Sequence, residues 1–108
     1  MAIEVVTDPL GVAVTITDER WEHIVQRHPA MVPHRDDLAE TIRNPNAVYE
    51  KDGDRYYFGR VVSKSYGQVF LQARAVARPN YFVVTAWLMP AHRPPQGAKL
   101  IWLSLTPL

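Results

Sequence analysis

The chain has 108 residues, 47% of them apolar, a net charge of +1 and no cysteine. That length and composition suit one globular domain around a single core, and they exclude both a disordered tail and a polycation of the kind that coats duplex DNA. The absence of cysteine removes disulfides, thiolate metal sites and thiol nucleophiles together, so metal binding would fall to histidine or carboxylate.

Taken in chain order, Ile3 to Val6 and Val12 to Ile16 are β-rich runs flanking Asp8-Pro9-Leu10-Gly11, a tight-turn sequence that ends on glycine. They predict an N-terminal hairpin. Thr17 to Pro29 then reads as a helix. Thr17 can accept from a freed backbone N–H of the first turn, Asp18 and Glu19 suit the positive end of the dipole, and Pro29 sets a stop. At about 100° per residue, Trp21, Ile24, Val25 and His28 share an apolar arc, and Arg20, His23 and Arg27 lie along its edge. Histidine titrates nearest neutrality and arginine is a permanent forked donor, so this margin suits a phosphodiester. A histidine placed like His28 also serves as a packed cap on the last carbonyls.

Pro33 to Arg43, with Leu38 and Ile42 at i, i+4 and an Asn44-Pro45 stop, predicts a second short helix. Strands follow at Ala47–Lys51, Arg55–Val62, Val69–Val76, Tyr81–Met89 and Leu100–Leu105. The turns between them fall at Asp52-Gly53, Lys64 to Gly67, Arg78-Pro79-Asn80 and Pro90 to Gly97, and short turns favour an antiparallel meander. The expectation is one α+β domain over residues 1–108, with two N-terminal helices on one face of an antiparallel sheet of four to five strands.

Alternation then assigns the two sheet faces. Val69, Leu71, Ala73 and Ala75 form a core set, against Gln68, Phe70, Gln72 and Arg74. In the next strand Phe82, Val84, Ala86 and Leu88 are uniformly apolar, which leaves Tyr81, Val83, Thr85 and Trp87 on the other side. The face away from the helices is therefore expected to display Phe70, Gln72, Arg74, Tyr81, Thr85 and Trp87. Such rings and donors suit single-stranded RNA, and equally a dimer interface.

His23, His28, His34 and His92 show no zinc-binding spacing, so no metal is implied. His92 and Arg93 lie in the proline-rich Pro90 to Gly97 loop, either as a second route to phosphate or within a stiff surface hairpin loop. No apolar run approaches the roughly 20 residues of a membrane span, and the start lacks the features of a secretory signal, so the cytoplasm is the expected compartment.

Ile16-Thr17-Asp18-Glu19-Arg20-Trp21-Glu22-His23-Ile24, Arg27-His28-Pro29, Thr41-Ile42-Arg43-Asn44-Pro45 and Val83-Val84-Thr85-Ala86-Trp87 resemble, in this order, the phage-type members of the barnase–EndoU–colicin–RelE (BECR) nuclease superfamily. The resemblance implies helices packed on a curved antiparallel sheet. It also implies a metal-independent ribonuclease acting as a toxin or effector, with RNA as substrate, no cofactor, and a cognate antitoxin or immunity protein as partner. His23, Arg27 and His28 match the helical motif, and Thr85 matches a hydroxyl residue on a late strand. Ala30 stands where the pattern leads to an acid.

Metal-free RNA cleavage needs a base, an acid and donors for the phosphate charge. His23 or His28 can serve as base or acid, Arg27 and Arg74 as phosphate donors, and Thr85 as an orienting hydroxyl. Tyr81 and Trp87 are the candidate base contacts. The competing readings are a non-catalytic protein- or RNA-binding module that uses the aromatic face, and a small-ligand or metal scaffold built on the histidines.

Overall fold

In the computed structural model, which describes residues 3–77 and 81–105, the chain opens as a hairpin of β1 (Ile3–Thr7) and β2 (Ala13–Thr17). The Asp8 carboxylate closes the turn by accepting from the Leu10 and Val12 N–H groups, each at 2.9 Å. Helix α1 (Asp18–Arg27) follows at once. Thr17 Oγ1 accepts from Arg20 N at 3.1 Å, and the His28 N–H donates to Ile24 O at 2.8 Å, so both ends are capped. A 3₁₀ segment (Pro29–His34) leads into α2 (Arg35–Arg43).

The remaining strands are β3 (Ala47–Lys51), β4 (Asp54–Ser63), β5 (Gly67–Ala77), β6 (Tyr81–Met89) and β7 (Lys99–Leu103). Asp52 and Gly53 join β3 to β4 with φ of 54° and 84°, the left-handed pair that a type I′ hairpin turn requires. The Arg78-Pro79-Asn80 turn lies outside the described residues.

The strand order is β1-β2-β6-β5-β4-β3-β7. This corrects the expected sheet of four to five antiparallel strands behind two N-terminal helices. Among the described residues there are seven strands, the sheet is mixed, and the helices come after the first two strands. A two-stranded hairpin is not stable alone. Strand β2 therefore pairs in parallel with β6 through Thr15 and Phe82, which draws the hairpin into the sheet. The consecutive strands β3 to β6 are antiparallel neighbours, but β7 pairs with β3 at the far edge instead of with β6.

Both helices cover one face. Ile24, Leu38, Ile42, Val48, Tyr57, Leu71, Ala73, Ala75, Val83 and Ala86 are buried in the core, together with Val14 and Ile16 of β2. Helix α2 lies so close to β4 that a Cβ on Gly59 would come 2.7 Å from Thr41 Oγ1, and glycine allows that approach.

The opposite face is not open as expected. To reach β7, residues 90–98 must cross β5, β4 and β3, and His92 packs on all three strands. Its ring centroid lies 4.6 Å from Phe58, 5.4 Å from Phe70 and 5.6 Å from Tyr49. The Tyr49 hydroxyl and His92 Nε2 are hydrogen-bonded at 3.1 Å. Phe58 is fully buried and Gln72 is 2% exposed. The proline-rich segment is thus a crossover that covers the sheet, and not a hairpin loop.

Candidate active site

The alternation in β6 breaks at one residue. Thr85 is opposite Arg74 and Val83 is opposite Ala75, so Val84 is the extra residue of a β-bulge. The bulge reverses the face of everything before it. Val83 is fully buried and Tyr81 packs against the core, whereas Thr85 and Trp87 stay on the side of Arg74 and Gln72. The expected set of Tyr81, Val83, Thr85 and Trp87 is therefore split. Tyr81 lies toward the other end of β6, its hydroxyl donating to Gly53 O at 3.2 Å and its ring under the Arg55 guanidinium at 5.1 Å.

Beyond the β2 pairing, the edge of β6 is met by a helix. Arg20 Nη2 donates to Val84 O at 2.7 Å and so takes up a carbonyl at the bulge. Between α1 and this edge lies a cleft of about 570 Å³, walled by Arg20, His23, Ile24, Arg27 and His28 from the helix side and by Val84, Thr85 and Trp87 from the strand. Among the described residues its wall has two guanidinium groups, two imidazoles and a hydroxyl, and no carboxylate.

The sequence-predicted residues His23, Arg27, His28, Thr85 and Trp87 are brought together here. His28 leans on Trp87, with ring centroids 6.0 Å apart and planes inclined by 34°. His23 and Arg27 are exposed and make no hydrogen bond or ion pair among the described residues. Both can turn to an incoming anion without breaking a native contact.

Arg74 does not line the cleft. Its Nη2 and Nε donate to Asp54 Oδ2 at 2.6 and 3.1 Å, and this bond holds the guanidinium pKa above its ordinary value. It remains the cross-strand neighbour of Thr85. Arg20 takes its place in the wall. The helical spacing of Arg20, His23 and Arg27 carried that signal, but nothing in the sequence showed that Arg20 would reach the strand. Arg20 Nε is buried without a partner among the described residues, which leaves an unused donor on a residue of the cleft.

Among the described residues no three His, Asp or Glu side chains converge as a metal site would require, and no helix is long and apolar enough to cross a membrane. No family model, curated protein or solved structure matches the chain.

Proposed function

We propose that this protein is a metal-independent endoribonuclease of the BECR type that cleaves RNA by attack of the 2′-hydroxyl on the adjacent phosphodiester. The observation that carries the proposal is the cleft wall, where two arginines, two histidines and Thr85 meet and, among the described residues, no carboxylate is present to repel a phosphate. One imidazole removes the 2′-hydroxyl proton as the oxygen attacks phosphorus. The other protonates the departing 5′-oxygen, which gives a 2′,3′-cyclic phosphate and a 5′-hydroxyl end.

Arg27, whose guanidinium fork fits two oxygens at once, holds the charge that builds on the phosphate, and Arg20 adds its positive charge from the wall while its Nη2 stays on Val84 O. Thr85, fixed on the rigid strand beyond the bulge, offers a hydroxyl to the same group. The resemblance to toxin nucleases supports a role as a toxin or effector in the cytoplasm, restrained by a cognate antitoxin or immunity protein.

The decisive assay incubates the purified protein with total RNA in EDTA, beside a His23→Ala/His28→Ala double variant. Cleavage with cyclic phosphate ends by the wild type and none by the variant is the expected result. Equal cleavage by both, or none by either, refutes it. Tight RNA binding without turnover would identify a non-catalytic binding module instead.

A further inference from the structure

A second cleft, of about 610 Å³, adjoins the first and shares Arg27, His28 and Trp87 with it. Its character differs. Beyond the shared residues its wall includes Tyr66, Leu88, Met89 and Pro90, with Gln68 at the start of β5. A cationic cleft and an apolar, aromatic cleft thus lie side by side, and the His28–Trp87 ring pair belongs to the wall of both.

Tyr66 is the notable member. Its ring is 67% exposed, while its backbone is held in the turn. Ser63 Oγ accepts from the Ser65 and Tyr66 N–H groups, each at 3.2 Å, and Gly67 with φ of 72° turns the chain directly into β5. Across the groove Trp87 is held against His28. Two flat side chains, Tyr66 on the turn before β5 and Trp87 on β6, with the exposed Gln68 amide beside them, form a stacking site with a hydrogen-bonding edge.

We infer that the second cleft binds one nucleobase of single-stranded RNA, that of the nucleotide next to the phosphate held in the first cleft. The inference rests on the ribonuclease reading for the identity of the polymer, and it adds the substrate class. A base within a duplex is paired and stacked on both sides and cannot enter, so the groove selects unpaired RNA. The shared wall with the anion-binding cleft favours a nucleotide over an apolar peptide, because a phosphate next to the base places negative charge beside Arg27 and His28.

The test separates binding from cleavage by using a short 2′-O-methyl oligoribonucleotide, which lacks the attacking hydroxyl. Fluorescence anisotropy compares it with the same backbone carrying abasic residues and with its duplex form, on the wild type, Tyr66→Ala and Tyr66→Phe. The wild type is expected to prefer the intact single strand over the abasic one by roughly 5- to 140-fold, the range for one stacked base. Tyr66→Ala should bring that ratio close to one, and Tyr66→Phe should keep it.

Equal affinity for intact and abasic strands, no binding of either, preference for the duplex, or a ratio unchanged in Tyr66→Ala would overturn the inference. Because the probe cannot be cut, base-dependent binding without RNA cleavage in EDTA rejects the nuclease proposal and leaves this site standing. Cleavage without base-dependent binding does the reverse.

Discussion

The His28 ring rests against the ring of Trp87 at 6.0 Å, and both residues wall the cationic cleft and the apolar cleft at once. One imidazole at the end of α1 is thereby positioned by a side chain of β6. A phosphate on one side and a base on the other would both touch it.

Replacing either histidine should therefore remove catalysis and leave the fold intact. His23→Ala and His28→Ala are each expected to lower the cleavage rate by about 10²- to 10⁴-fold, the usual contribution of a positioned acid or base. Circular dichroism should show an unchanged spectrum for His23→Ala, because that side chain is exposed. Loss of the folded spectrum in both variants would mean that the effect is structural.

Arg27 and Arg74 are separable. Arg27 stands in the cleft wall with no ion-pair partner among the described residues, so Arg27→Ala should reduce kcat/KM for RNA by about 10²-fold, as removal of a charge-stabilising donor does. Arg74 is bound to Asp54 and lies outside the cleft, and Arg74→Ala should stay within about threefold of wild type. Steady-state kinetics on one oligoribonucleotide decides between them.

Asp8 is the main polar anchor of the N-terminal hairpin. Its side chain is fully buried, and Oδ2 accepts from Arg55 Nη1 at 2.7 Å and from the Tyr57 hydroxyl at 2.6 Å. Burial and the adjacent carboxylate push the Tyr57 pKa far up, so its hydroxyl remains a donor. Asp8→Ala leaves the Arg55 guanidinium, 13% exposed, and the buried Tyr57 hydroxyl without their partner, and should cost about 3 kcal/mol in urea unfolding, the low end for a buried pair. A loss of less than about 1 kcal/mol would show that the pair can be dispensed with.

Stability should also carry a pH signature from His92. Burial against Phe58 and Phe70 lowers its pKa below the ordinary value of 6.5. Between the two values the unfolded chain binds the extra proton, so the contribution is complete above about pH 6.5 and is lost as pH falls toward the folded-state value. His92→Phe should flatten the drop in Tm from pH 7.5 to pH 5. An equal drop in both proteins would place the titration elsewhere.

The local elements were legible in the residues themselves. Thr17, Asp18 and Glu19 mark a helix start and Pro29 a stop because capping and proline geometry act within a few positions, and α1 spans Asp18–Arg27. Asp52-Gly53 marks a hairpin for the same reason. The clustering of Arg20, His23 and Arg27 on one helix edge needed nothing beyond helical periodicity.

The sequence by itself therefore determined which segments are helix or strand and which helix edge is cationic, because those properties depend on short-range sterics and spacing. Strand order, the parallel closure of β2 on β6, the bulge at Val84 and the His92 crossover were decided by tertiary structure alone. Each of these joins residues distant in the chain, and a single inserted residue in a strand reverses every side chain before it. That reversal is why Tyr81 faces the core while Thr85 reaches the cleft.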